Sequence, residues 1–243
     1  MGEKPEYLIK KGIRLDGRTI EQVRPMKIVA GFLEKADGSC YIECGKTKVV
    51  VGVHGPREVH PKHQENAEKA IVRCTYDMAS FSVDGERKRP GQDRRAIEIS
   101  KVSSDALEAA IMVERFPKTA IDIFMEVIQA DASTRVTALT AASVALADAG
   151  IPMKDLVSAC SFGKLYGADG EEVIAVDMDK PEDNFGWADC AVAYMPNFDK
   201  FTLMQMDGNL TVSEMRSGLE MARKACKEIY EMQKAALKRR FEQ

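Results

Sequence analysis

The chain has 243 residues, 45% of them hydrophobic, and a formal net charge of −3. It is long enough to bury one or two cores, and its acidic balance excludes a general nucleic-acid coat of the histone kind, so a polyanion site must concentrate basic residues locally. No apolar run approaches the roughly 20 residues of a membrane span, and MGEKPEYLIKKG does not resemble a secretory signal. The six cysteines form no CxxC pair and are expected to be reduced and buried. We therefore expect a cytoplasmic protein with no membrane contact.

The first half of the chain alternates strand and helix patterns. MKIVAGFLEK, GSCYIEC and KVVVGVHG predict a meander with turns at residues 36–38 and 45–46, and IVRCTYDM predicts a fourth strand. A helix beginning near Asp93, the strand AIDIFMEVIQAD and a helix from Ser133 follow. This order indicates an α/β or α+β layer rather than an all-β sandwich.

From Leu156 the pattern returns to strands, namely LVSACSFGKLYG, EEVIAVDM, ADCAVAYMP and KFTLMQMDG, with Asp169-Gly170 as a hairpin turn. A last helix begins at Thr211, where Thr211 and Glu214 match a capping box. No Gly-, Ser- or Pro-rich linker divides the chain. We expect one domain over residues 1–243, with the first ~12 residues as an extension.

The segment DASTRVTALTAASVALAD, residues 131–148, predicts an anion site. Ser133, Thr134 and Arg135 should lie at the helix N-terminus, where free N–H groups and the helix dipole favour a phosphate and the side chains add donors. The alternative is ordinary capping beside a solvated arginine.

The helix that begins near Asp93 also has arginine in its first turn. Arg94 and Arg95 should occupy its first turn, at the end of the basic run GERKRPGQDRR. Paired arginines oppose the helix dipole there unless an anion lies nearby. Together the two helix starts predict a polyanion track, and the alternative is a mobile, solvated basic loop.

Acidic residues supply the remaining candidate chemistry. In PEDNFGWADCAVA, Glu182, Asp183 and Asp189 bracket a predicted loop over residues 184–187 that enters a strand at Ala188. Such a carboxylate can bind a metal or donate a proton, and solvated turn acids are the alternative. The three histidines cluster in HGPREVHPKH, but no nearby cysteine completes a tetrahedral metal set.

Five segments in order resemble the RNase PH family, most closely its catalytic branch in the archaeal exosome. They are RLDGRTIEQVRP from Arg14, GPREVHPKH from Gly55, the Arg94-Arg95 pair, QADASTRVTALTAASVALADAGIPMKDL from Gln129, and EDNFGWAD from Glu182. The resemblance covers nearly the whole chain, from Arg14 to the final helix. It implies an α+β fold of βαβα units, as in the ribosomal-protein-like superfamily, with mixed sheets and flanking helices.

The resemblance also implies an activity and partners. Six such domains form a ring, in which the catalytic subunit alternates with a related inactive subunit, and RNA-binding cap subunits cover one face. The reaction is phosphorolysis: inorganic phosphate is the co-substrate, single-stranded RNA is shortened from its 3′ end, and nucleoside 5′-diphosphates are released. The reverse reaction would extend RNA 3′ ends.

Carried over residue by residue, the family's phosphate loop falls on Ser133, Thr134 and Arg135. Asp183 falls on the carboxylate that protonates the leaving 3′ oxygen or positions a divalent ion such as Mg²⁺, and Asp189 is the second acid. Ser133 stands where the bacterial tRNA-trimming branch has a glycine.

Arg94 and Arg95 fall on the pair that grips the RNA backbone, and Lys62 falls where a basic residue contacts RNA near the pore. Two alternatives within the resemblance are a homohexameric enzyme that trims tRNA 3′ ends and a non-catalytic ring scaffold that binds RNA. A scaffold is expected to lose the acid or the phosphate loop, and this chain has both.

Overall fold

The computed structural model describes residues 4–85, 88–89, 91 and 93–242. Arg87, part of the predicted basic run, lies outside these residues. The strands are β1 Ile9–Lys10, β2 Ile13–Arg14, β3 Met26–Ala30, β4 Gly38–Cys44, β5 Thr47–Glu58, β6 Ile71–Met78, β7 Thr119–Gln129, β8 Ser158–Tyr166, β9 Glu172–Val176, β10 Ala188–Met195 and β11 Lys200–Gly208. The α-helices are α1 Arg94–Glu108, α2 Thr134–Asp148, α3 Lys180–Phe185 and α4 Val212–Phe241, and 3₁₀ turns cover Lys62–Gln64 and Val113–Arg115.

The first large sheet has the strand order β3-β4-β5-β7-β6. The antiparallel pairs β3–β4 and β4–β5 confirm the predicted meander. Strand β6 does not extend it, because β7 lies between β5 and β6 and pairs in parallel with β6. A parallel pair needs a crossover, which α1 provides, and α2 then follows β7 to complete a βαβα unit.

The second large sheet is antiparallel, with the order β11-β10-β8-β9. The hairpin of β8 and β9 confirms the predicted turn, where Gly170 has a φ of 75°. Just before β10 the structure differs from our expectation, because Asn184 and Phe185 of the predicted loop belong to helix α3.

Helix α3 forms because its first turn is fully capped. The Asp179 side chain accepts a hydrogen bond from the Glu182 backbone N–H, and the Glu182 side chain accepts one from the Asp179 backbone N–H. Pro181 lies in the same first turn, where a missing N–H carries no penalty. The prediction of a loop overlooked this Asp-x-x-Glu pattern.

Helix α2 joins the two large sheets. It contacts β4, β5 and β7 of the first sheet and β8 and β10 of the second. Twelve of its residues are buried, and its alanines make it apolar on all sides, as expected for a helix enclosed by protein. One buried cluster therefore runs from Ile28 and Val51 through Leu139 to Ala159 and Ala193. The N-terminus of α2 thus emerges between two rigid layers.

Two further expectations can be compared with the described residues. All six cysteines are free and buried, which confirms the prediction of reduced, internal thiols. Helix α4 begins with the predicted capping box of Thr211 and Glu214. Among the described helices, none combines the length and apolarity needed to cross a membrane.

Candidate active site

A cleft of about 250 Å³ opens where the N-terminus of α2 meets the start of α1, helix α3 and strand β10. Six of the eight predicted site residues line it: Arg95, Ser133, Thr134, Arg135, Asp183 and Asp189. These residues come from three separate regions of the sequence. The structure therefore brings together the phosphate loop, one arginine of the pair and both acids.

The predicted phosphate loop makes a sharp turn before α2. Ala132 and Ser133 both have left-handed backbone conformations, with φ of 60° and 52°. Ser133 is the N-cap residue, but its side chain does not cap the helix. The first-turn N–H groups of α2 thus lack the usual side-chain acceptor at the N-cap, which leaves the positive end of the helix available to an anion.

Thr134 and Arg135 are each tied to a neighbour. The buried Tyr76 hydroxyl donates to the Thr134 hydroxyl at 2.9 Å. Arg135 donates to the amide oxygen of Gln205, whose NH₂ group donates to Glu98. Burial lowers the pKa of Arg135, and the charge of Arg95 lowers it further. Two neighbouring guanidinium groups in a partly desolvated cleft form a site that an anion would stabilise.

The two acids face this basic side from α3 and β10. Partial desolvation in the cleft raises the pKa of Asp183, although the charges of Arg95, Arg24 and Arg135 oppose the shift. Desolvation also raises the pKa of Asp189, and the nearby Asp183 carboxylate adds to it. Raised pKa values favour the protonated form, which is the form that a general acid must have.

A buried ion pair holds the helix that carries Asp183. The Arg14 Nε donates to Glu182 Oε1 at 2.6 Å, and Arg14 Nη2 pairs with the other carboxylate oxygen. Arg14 also donates to the carbonyl of Val176 at 2.6 Å. Because Glu182 closes the capping box of α3 as well, Arg14 ties this helix to the N-terminal segment.

A second buried pair holds the segment just before the predicted phosphate loop. Arg24 contacts Asp177 through Nη2–Oδ1 at 2.7 Å and Nε–Oδ2 at 3.0 Å, and its Nη1 donates to the carbonyl of Asp131 at 2.8 Å. Burial acts to raise the pKa of Asp177, but the charge and hydrogen bonds of Arg24 outweigh it, so that pKa lies below its usual value. Asp177 is therefore a carboxylate in the folded protein.

Comparisons with known proteins show the family of the chain. A model described as "3' exoribonuclease family, domain 1" matches residues 22–152, and the model for domain 2 of that family matches residues 155–225. The chain belongs to the RNase PH family. Whether its two matched segments fold as one domain stays a prediction, and the cluster of buried residues shared by both sheets supports it.

Several relatives of this RNase PH family chain carry the name "Exosome complex component Rrp41". The protein from Methanosarcina mazei is 56% identical over 245 residues, and the match covers 100% of this chain but only 48% of that protein. The protein from Methanopyrus kandleri is 53% identical, with 99% of each chain covered. The crystal structure of rice Rrp46 superposes with a TM-score of 0.80 at 25% identity and covers 92% of this chain and 100% of the rice chain.

These similarities confirm the predicted family resemblance and the α+β fold. They also confirm the enzyme class, a phosphate-dependent 3′-to-5′ exoribonuclease. The roles of individual residues in this RNase PH family site stay predictions.

Two predicted RNA contacts do not line the cleft. Arg94 is exposed beside Arg95 in the first turn of α1. Lys62 is exposed in the 3₁₀ turn Lys62–Gln64 and pairs with Glu58 at 2.8 Å. Their predicted contacts with RNA stay predictions.

The cleft also contains residues that the sequence did not single out, namely Lys180, Asn184 and Ser161. Lys180 pairs with Asp84 at 2.6 Å. Its position beside the acidic EDNFGWAD segment was the available signal, because lysine is a common phosphate binder. Ser161 lies inside a buried strand, where nothing in the sequence indicates a site.

Proposed function

We propose that this chain is the phosphorolytic subunit of an exosome ring and removes nucleotides one at a time from the 3′ end of single-stranded RNA. The observation that carries the proposal is the shared cleft, in which the N-terminus of α2 and two guanidinium groups face two acids of raised pKa. The relatives named as exosome complex components support the assembly.

Inorganic phosphate would bind at the N-terminus of α2 with Thr134 and Arg135 at its side. Arg95 would neutralise the last phosphodiester of the RNA. Because both reactants are anions, their approach within one cleft depends on these positive groups and on fixed geometry. The predicted phosphate loop and the predicted arginine pair would then have different partners.

In the reaction, an oxygen of inorganic phosphate attacks the terminal phosphorus, and the bond from that phosphorus to the 3′ oxygen of the preceding nucleotide breaks. A nucleoside 5′-diphosphate leaves, and the RNA ends in a new 3′ hydroxyl. Asp183 would give its proton to the departing 3′ oxygen and recover one from the incoming phosphate or solvent. The diphosphate bond conserves much of the energy, so excess nucleoside diphosphate would drive the reverse tailing.

A magnesium ion fits the two acids only with help from substrates. Among the described residues, no group of three or more His, Cys, Asp or Glu side chains could hold a metal ion. Magnesium is commonly held by one or two carboxylates together with substrate phosphates, and Asp183 and Asp189 could provide the carboxylates. When bound, the ion would neutralise charge on the phosphates.

The partners follow from what this subunit lacks. Lys62 and Arg94, two of the three predicted RNA contacts, do not line its cleft. A continuous RNA path would therefore need basic residues from neighbours, which we propose are a related inactive subunit within a heterohexameric ring and RNA-binding cap subunits above it. The free, buried thiols suit a reducing cytoplasm.

The test is an assay of the reconstituted ring on a short single-stranded RNA that is radiolabelled at every nucleotide, with and without inorganic phosphate. Nucleoside diphosphates that form only with phosphate support the proposal, whereas monophosphates or no products refute it. Products from a ring of this chain alone would favour the homohexameric enzyme.

Asp183→Asn should lower turnover by about 10²-fold or more while RNA affinity and ring assembly are retained, because the variant cannot donate the proton. Asp169→Asn is the matched control, since Asp169 is exposed in the β8–β9 turn. Near wild-type turnover of Asp183→Asn in an assembled ring would refute the assignment and point to Asp189 or a metal.

A further inference from the structure

We propose that the Ser133 hydroxyl does not bind phosphate but fastens the phosphate loop to the segment that leads into the Asp183 helix. This inference rests on the proposed function, since it concerns the alignment of phosphate with the acid. It assigns Ser133 a positioning role in place of the ligand role predicted from the sequence.

The hydrogen bonds around Ser133 form a closed set. The backbone N–H of Met178 donates to Ser161 Oγ at 3.2 Å, the two serine hydroxyls are 2.8 Å apart, and Ser133 Oγ donates to the carbonyl of Met178 at 2.9 Å. With Ser161 as the donor between the hydroxyls, each of the three groups donates one hydrogen and each hydroxyl also accepts one.

This arrangement leaves Ser133 without a proton for a ligand. A hydroxyl has one hydrogen, and that of Ser133 is used by the Met178 carbonyl. Phosphate oxygens need donors, so ligation by this hydroxyl would break the bond and leave a carbonyl unpaired. The side chain also does not cap α2, which fits a group engaged with a different part of the fold.

These hydrogen bonds connect the proposed phosphate site to the segment that carries Asp183. Ser133 precedes the first turn of α2, where phosphate would bind, and Met178 directly precedes Asp179, the N-cap residue of the helix that carries Asp183. Ser133 holds a left-handed conformation that L-residues seldom adopt. Its hydrogen bonds stabilise that conformation and fix the loop against the acid-bearing segment.

The expected consequence is a loss of turnover larger than the loss of phosphate affinity. In-line attack needs phosphate and the acid at a fixed separation, and a displacement of about 1 Å can cost about 10²-fold in rate. The N–H groups of α2 and Arg135 remain in place without the hydroxyl, so phosphate should still bind.

The experiment compares Ser133→Ala, Ser161→Ala and the double variant, each assembled into the same ring in which the wild-type chain is active. Ser143→Ala is the matched control, because Ser143 is a buried serine of the same helix whose hydroxyl accepts from the Val157 N–H at 2.8 Å, away from the cleft. Turnover, the phosphate KM and phosphate affinity by calorimetric titration are measured. Each single variant should lower kcat by on the order of 10-fold and keep the phosphate Kd within about 3-fold of wild type. The kcat of the double variant should equal that of the less active single variant, because both hydroxyls belong to one set of hydrogen bonds.

Ser133→Gly separates strain from hydrogen bonding. Glycine adopts the left-handed conformation without penalty but has no hydroxyl. The variant should therefore keep the low kcat of Ser133→Ala, and a return to wild-type kcat would overturn the proposal.

Two other results would overturn it. A rise of 10-fold or more in phosphate Kd for Ser133→Ala, with Ser161→Ala like wild type, would make Ser133 a direct ligand. Equal losses in all variants, including Ser143→Ala, would indicate general destabilisation.

Amide hydrogen exchange in α3 keeps the test independent of activity. It should increase in Ser133→Ala and Ser161→Ala and stay unchanged in Ser143→Ala, whether or not the ring makes nucleoside diphosphates. Absence of diphosphates from the wild-type ring would refute the proposed function, whereas unchanged exchange in α3 would refute the fastening itself.

Discussion

Removing the Asp177 carboxylate should destabilise the fold far more than removing an exposed carboxylate of similar geometry. Asp177 is 4% exposed and accepts from the Arg24 backbone at 2.6 Å and from its Nε and Nη2, while Arg18 Nη1 lies 3.4 Å away. Asp177→Ala leaves two buried guanidinium groups without this counter-charge. Removing one partner of a buried ion pair costs about 3–5 kcal/mol. That is a large part of the free energy of unfolding of a typical protein, which is roughly 5–15 kcal/mol.

The assay is urea unfolding followed by circular dichroism, with Asp84→Ala as the control. Asp84 pairs with Lys180 at 2.6 Å, nearly the same distance as Asp177 with Arg24, but it is 90% exposed, so no measurable change is expected. Equal free energies of unfolding for the two variants would refute the reasoning.

The same carboxylate predicts a pH dependence. Because the folded-state pKa of Asp177 is lowered, its contribution is present above the unfolded pKa of about 3.9 and is lost as the pH falls toward the folded value. The stability difference between wild type and Asp177→Asn should therefore be largest near neutral pH and shrink in acid. A difference that stays constant from neutral pH down to acid unfolding would contradict the assignment.

Three further predictions concern the cleft. Arg135→Ala should raise the phosphate KM by about 10-fold through the loss of one charge-assisted contact, whereas Arg95→Ala should weaken RNA binding and flatten its salt dependence, with a smaller effect for Arg94→Ala. Phosphate titrations and filter binding at several salt concentrations measure the two effects, and identical losses of RNA affinity in Arg135→Ala and Arg95→Ala would contradict the division of roles. Gln205→Glu should place a carboxylate on Arg135 and raise the phosphate KM with little change in RNA affinity, and an unchanged phosphate KM would count against that contact. If Asp183 is the general acid, the rate falls as the pH rises through its pKa, and Arg95→Ala, which removes a charge that lowers this pKa, should move the fall to higher pH in a pH–rate profile.

Local signals were sufficient for the features that depend on neighbours in the sequence. The starts of α1 and α2 follow from Asp93 and from the run of small residues after Ser133, and both lie where the sequence predicts. The β3–β4–β5 meander follows from short turns between β-branched runs. These features need only hydrogen bonds and turns within a few residues.

Features that depend on distant segments were not accessible from the pattern alone. The insertion of β7 between β5 and β6 depends on the α1 crossover, which hydrophobic periodicity does not record. Arg14 and Arg24 look like ordinary surface charges in the sequence, yet both are buried because Glu182 and Asp177 meet them from more than 150 residues away. Burial of such charges depends on their partners, and the partners are known only once the fold is known.

Those distant pairs also show why the net charge of the chain does not describe the charges in the cleft. Arg14 and Arg24 do not line the cleft and are paired with buried carboxylates, so their main contribution to the cleft is rigidity. Arg135 instead contacts the neutral amide of Gln205, which holds the Glu98 carboxylate through its NH₂ group. An amide satisfies a guanidinium hydrogen bond without cancelling its charge, so Arg135 remains available to an anion. The net charge of the chain is therefore a poor guide to the potential in this cleft, which depends on whether each arginine meets a carboxylate or an amide.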